Sequence, residues 1–199
     1  MKKQRYIFLL LLFLIFLGGC QMASEKTKKP SEMNPEDLPD VRAFQDEFTR
    51  RFLQSTEETK PGYYPFLSGT GKYEMDFPEG GIIDKRAYSL EEKRFEAIAI
   101  SDKENSSLIK VTHYSFIDSP SSAMDTLEKR LNMELNFAKK EMKSHDIYTA
   151  PFQYDEGTYG YVASLISKEK KGEIQIVYSA ECNKNKTHCI KTKKRNKKE

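Results

Sequence analysis

The chain has 199 residues, with 33 Lys or Arg against 30 Asp or Glu, for a formal charge of +3. Lys2, Lys3 and Arg5 account for all of that excess, so the remainder is balanced and does not read as a nucleic-acid binder. The balance is uneven: residues 184–199 carry +7 and residues 20–183 carry −7.

The basic start is followed by eleven unbroken apolar residues, Ile7 to Leu17, then Gly18, Gly19 and Cys20. The run is short for a bilayer span, which takes about 20 residues. A positive start, an apolar stretch and small residues at the end form a secretory signal peptide. Leu17-Gly18-Gly19-Cys20 resembles the lipobox of bacterial lipoproteins. That resemblance implies cleavage between Gly19 and Cys20 and a diacylglyceryl group on the Cys20 thiol. Each buried methylene contributes about 0.8 kcal/mol, so one acyl chain holds marginally and two hold stably. Removing residues 1–19 leaves 180 residues, enough for one domain with a real core.

Residues 20–39 read as a disordered tether: Pro30, Pro35 and Pro39 punctuate charged sequence without an aromatic residue. Extended, it would reach roughly 60 Å. Val41, Phe44, Phe48 and Phe52 recur at helical spacing and predict an amphipathic helix over 40–55. Residues 56–70 read as a loop, with the aromatic Pro61–Phe66 stretch either packed on a sheet edge or contacting a ligand. From 71 the period becomes two. Tyr73, Met75 and Phe77 alternate with charges, and strands are expected at 73–77, 82–89, 95–101 and 108–116. Ser119 and Pro120 open a long helix over 120–143, striped by Met124, Leu127, Leu131, Leu135, Ala138 and Met142. Strands at 147–152, 159–167, 174–182 and 190–193 follow.

This order predicts an α+β fold: an antiparallel sheet covered by one long amphipathic helix, with a further N-terminal helix. The domain would span 40–183, followed by a hairpin strand and basic tail over 184–199. The strand that enters Phe77-Pro78-Glu79-Gly80, with a long helix further on, resembles the PsbP/Mog1-like fold over roughly 67–182. The resemblance implies a binding or assembly protein and supplies no catalytic residues.

Cys182 and Cys189 flank a polar turn and are expected to form a disulfide in an exported protein. Free thiols are the alternative; a metal site with His188 has too few ligands in sight. Closing that loop should stabilise by about 2–3 kcal/mol. His113, His145 and His188 are scattered, on a strand, a helix end and a turn. No nucleophile elbow, zinc-protease helix or phosphate-binding glycine loop is present. Asp76, Glu79, Asp155 and Glu156 read as solvated turn carboxylates, and Tyr159 and Tyr161 as core or rim. The basic tail reads as solvated, with anionic lipid, wall polymer or nucleic acid as functional alternatives, the last disfavoured because an exported protein meets little of it. The sequence therefore predicts a non-enzymatic, membrane-anchored lipoprotein on the extracytoplasmic face, without cofactor or metal, attached through Cys20 and available to an envelope protein partner. The alternatives are an envelope hydrolase in which His113 or His145 meets a carboxylate, and a small-ligand carrier with an apolar cavity between sheet and helix.

Overall fold

The computed structural model describes residues 28–103, 105–154, 157–169 and 172–181. Cys20, Cys182, His188, Cys189, Asp155, Glu156, the strand expected at 190–193 and the basic tail lie outside the described residues.

The fold begins earlier than composition suggested. Pro30–Glu32 and Pro35–Asp37 are short 3-10 turns, each with proline at its first position. Pro30 is fully buried, Leu38 belongs to the core and Met33 packs against it. The expected tether over 20–39 is thus ordered from Lys28 onward. Proline fixes φ near the helical value, so these residues start turns as readily as they break helices.

The expected helix over 40–55 is two four-residue helices, α1 (Arg42–Gln45) and α2 (Glu47–Arg50). Asp46 divides them in an extended conformation (φ −82°, ψ 112°). Its Oδ1 accepts the Thr49 amide at 2.8 Å and the Thr49 hydroxyl at 2.7 Å, capping α2. Thr49 Oγ1 in turn accepts the Ile83 amide at 2.9 Å. Phe44 and Phe52 still reach the core, and Phe48 packs beside them.

The stretch expected to be a loop contains β1 (Tyr63–Leu67), paired antiparallel with β2 (Glu74–Pro78) in a two-stranded sheet. Pro65 is tolerated because its carbonyl, not the amide it lacks, serves the outer side, where it accepts from the Gln54 amide at 2.9 Å. Tyr64 and Phe66 of the aromatic stretch are buried in the core while Tyr63 faces outward; Phe66 stacks between Phe52 and Phe77.

Among the described residues the main sheet has eight strands, all antiparallel. They are β3 (Gly81–Ile83), β4 (Ser89–Glu91), β5 (Phe95–Asp102), β6 (Ser107–Tyr114), β7 (Ala138–Glu141), β8 (His145–Gln153), β9 (Thr158–Ser167) and β10 (Glu173–Glu181). Their order is β3-β5-β6-β10-β9-β8-β7, with β4 also beside β5. The longest helix among the described residues, α3 (Pro120–Leu131), is half as long as its stripe implied. Asn132 ends it in the left-handed region (φ 53°, ψ 46°), and the Met133 amide returns to the Glu128 carbonyl. Leu135 and Phe137 still pack on the α3 cluster from extended chain, which is why the apolar stripe outlasts the helix. Ala138 instead opens β7, and Met142 is 39% exposed.

The register sorts the side chains of the main sheet. Glu96, Ile98 and Ile100 of β5 share a face with His113, Val111 and Ile109 of β6 and with Ile174 and Ile176 of β10. The N-terminal segment and the β1–β2 pair cover that part of the face with Phe44, Leu53, Phe66 and Phe77. On the other face Val162, Val177, Ala150 and Phe152 receive Leu127 and Leu131 of α3. A close approach fixes part of this layer: a Cβ on Gly160 would collide with the Phe152 ring and the Tyr178 carbonyl.

A chain beginning at Asp40 should melt several degrees below one beginning at Lys28, and Leu38→Ala should lower unfolding stability by about 2–5 kcal/mol; urea denaturation measures both. Gly160→Ala should destabilise by about 1–3 kcal/mol through overpacking, whereas an exposed control such as Lys103→Ala should not.

Candidate functional site

The alternation of β5 that buries Ile98 and Ile100 also turns Glu96 inward, with no measurable exposure. A carboxyl group there must find donors inside the protein. The loop from Ser68 to Tyr73, between β1 and β2, supplies them. Glu96 Oε1 accepts the Gly69 amide at 2.8 Å and the Tyr88 hydroxyl at 3.2 Å. Oε2 accepts the Thr70 amide and hydroxyl, each at 3.4 Å. Ser68 Oγ accepts the Lys72 and Tyr73 amides at 3.1 and 3.2 Å, which winds the loop tightly. Position 69 has to be glycine: a Cβ would meet the Tyr88 hydroxyl and lie 2.9 Å from Glu96 Oε1.

Two further polar groups point into this cluster. His113 stands directly across from Glu96 in the β5–β6 register, and its ring centroid is 5.9 Å from that of Tyr73. Neither His113 Nδ1 nor the Tyr73 hydroxyl has a hydrogen-bond partner among the described residues. Burial first, then the Glu96 charge, pushes the Tyr73 phenol far above its ordinary range. The same two causes push Tyr88 up to about 12. His113 is held below the ordinary histidine value by burial, with the Glu96 charge opposing and Lys72 assisting.

A second interior cluster lies on the opposite face beneath α3. Glu173 Oε1 accepts the Ser164 hydroxyl at 2.6 Å and the Gln175 amide nitrogen at 3.0 Å. Gln175 also donates to the Ala123 carbonyl at 3.3 Å, which pins α3 to β10. Arg130 of α3 donates to Tyr114 Oη at 3.0 Å and to Thr112 Oγ1 at 3.4 Å above it.

The structure brings His113 to a carboxyl group, as the hydrolase alternative required, but buries both; the histidine is 6% exposed. His145 lies at the start of β8, not at a helix end, and its Nδ1 meets Ser144 Oγ at 3.0 Å. Asp76 pairs with Lys60 at 2.9 Å, and hydrogen bonds from Lys60 and then Thr59 hold it below the ordinary carboxylate range. Glu79 is an exposed turn residue. Among the described residues no cluster of His, Cys, Asp and Glu has the composition of a metal site. Sequence reasoning missed Glu96, Glu173 and Gln175, although Glu96 shares the frame of Ile98 and Ile100.

The surface offers two features. An open groove of about 460 Å³ runs across the ends of β5, β6, β9 and β10, lined by Ser101, Ser107, Leu108 and Ser179 among others. Beside the covered part of the first sheet face, Tyr161 and Tyr178 oppose each other across β9 and β10, 42% and 38% exposed. Tyr161 is therefore rim rather than core.

These features define an antiparallel α+β domain. The chain belongs to the family described as "Putative lipoprotein YvcA", whose model, YvcA_Mog1p, matches residues 39–199. A relative of the same description from Bacillus subtilis (strain 168) is 33% identical over 217 aligned positions, covering 95% of this chain and 89% of the relative. Among solved structures, the Saccharomyces cerevisiae Ran-binding protein Mog1p gives a TM-score of 0.42 at 11% identity, over 61% of this chain and 78% of that one. A mutant form of Mog1 gives 0.42 at 10% identity, over 61% and 79%.

The buried cluster sets a pH response. The folded chain keeps His113 neutral below its ordinary pKa of 6.5, where the unfolded chain takes up a proton. The unfolded state then binds more protons, so stability falls as pH drops below about 6.5 and levels off under the folded value. His113→Phe should flatten that part of the curve relative to the parent, measured by urea denaturation between pH 7 and pH 5. Glu96→Gln should cost about 1–3 kcal/mol at neutral pH by leaving donors badly paired.

Proposed function

We propose that this lipoprotein acts outside the cytoplasmic membrane as a non-enzymatic binding or assembly module, anchored by diacylglycerol on Cys20 and open to an envelope protein partner. The observation that carries the reading is the sealed state of His113 and Glu96. Both residues are buried under the loop from Ser68 to Tyr73, and the Glu96 carboxyl group is occupied by the Gly69 and Thr70 donors of that loop. The lipobox residues Leu17, Gly18, Gly19 and Cys20 and the family of lipoproteins support the anchor. The open, polar groove at the sheet end does not resemble the enclosed apolar cavity a small-ligand carrier needs.

The test has two arms. Cells grown with labelled palmitate should yield a labelled, membrane-associated mature protein, and Cys20→Ser should abolish both label and membrane association; an unlabelled parent chain overturns the anchor. Purified protein should leave envelope glycans, peptides and esters unchanged, and a turnover that His113→Ala abolishes overturns the non-enzymatic assignment.

A further inference from the structure

Among the described residues, the first buried one lies close in sequence to Cys20. Pro30 is buried in a 3-10 turn that contacts α2, while Met33 and Leu38 pack into the core of the N-terminal layer. Ten residue steps separate Cys20 from Pro30. At no more than 3.3–3.6 Å each, they span at most about 35 Å. A leash ending at Asp40 would have allowed roughly twice that.

The direction of attachment follows from the layers. The N-terminal layer lies on one face of the main sheet and α3 on the other. Packed layers are spaced about 10 Å apart, so the outer surfaces of the two covering layers are separated by roughly 20–30 Å. To turn α3 toward the bilayer, the leash would have to run the depth of the domain and use more than half of its reach. The leash also carries Lys26, Lys28 and Lys29 against Glu25. Each lysine near an anionic lipid surface is favoured by about 1 kcal/mol, which draws this stretch toward the headgroups.

We propose that the N-terminal layer, led by the 3-10 turn at Pro30–Glu32, is the membrane-proximal face of the protein, and that α3 faces away from the bilayer. The inference rests on the lipid anchor at Cys20 and adds an orientation to it. Any partner then meets the α3 side, the β7 edge or the flank bearing Tyr161 and Tyr178, while the surface around Pro30 faces lipid.

The experiment uses full-length lipidated protein, purified from membranes and reconstituted in phosphatidylglycerol–phosphatidylcholine vesicles with a headgroup-bound quencher. A fluorescent amino acid replaces exposed Ser31 in one sample and exposed Asp125 of α3 in another. Quenching at position 31 should exceed that at 125 at least twofold, and inserting twenty Gly/Ser residues after Met22 should erase the difference. Equal quenching at both positions in protein that floats with the vesicles overturns the orientation and leaves the anchor standing. Protein that carries no lipid and fails to float overturns the anchor and the orientation together.

Discussion

The structure depends on how an interior carboxyl group is satisfied. Glu96 sits in the middle of a layer of Ile, Val and Phe, where unpaired polarity is expensive. Four donors from two segments answer it: the Gly69 and Thr70 amides, the Thr70 hydroxyl and the Tyr88 hydroxyl. Apolar contact alone could let the β1–β2 pair slide across the sheet, since burial is non-directional. The carboxyl group fixes one position for it. That position in turn brings Phe66 and Phe77 into one core with Val111 and Ile98 and seats the N-terminal segment against them.

The main sheet is wider than either of its covers. Aromatic residues of the N-terminal layer close the first face over β3, β5 and β6. On the second face α3 closes the region of β8, β9 and β10 through Leu127 and Leu131. The covers are offset, so each face keeps a half that no described residue covers. On the first, the open half holds Tyr161 and Tyr178; on the second, it holds the groove around Ser101, Leu108 and Ser179. Along β5, buried residues alternate without a break with half-buried ones, as they must in a strand covered from one side only. Outer strand β7 is exposed throughout and carries Lys139 and Lys140, a common guard against edge pairing.

Strand periodicity survived into most of the fold, because a period of two needs only one buried face to be visible, but the strand expected at 82–89 is divided into β3 and β4 by a 3-10 turn at Lys85–Ala87. The strands expected at 95–101, 108–116, 159–167 and 174–182 appear within a residue or two, apart from Cys182, which lies outside the described residues, and a shorter end at Tyr114. Helix ends were less legible. The stripe from Met124 to Met142 hid the stop at Asn132, since Leu135 and Phe137 reach the same cluster from extended chain. Asp46 likewise divides a helix whose phenylalanines stay in phase across the break. Pro65 concealed β1, because edge tolerance for proline depends on which carbonyl the neighbouring segment uses. Glu96 was a signal the sequence did contain. A charged residue in the inward frame of an otherwise apolar strand has to be met by internal donors, and its position alone announces them.

Glu96 and Glu173 lie on opposite faces of the same sheet, and each has become a fastener. One holds the loop from Ser68 to Tyr73; the other, through Gln175 and the Ala123 carbonyl, helps to hold α3. A general acid or base must present its proton or lone pair to something that arrives from solvent. At Glu96 both carboxyl oxygens are already met by amides and hydroxyls of the fold, at Glu173 Oε1 is met by Ser164 and Gln175, and both residues are buried. The interior polarity of this protein therefore specifies how its covers sit.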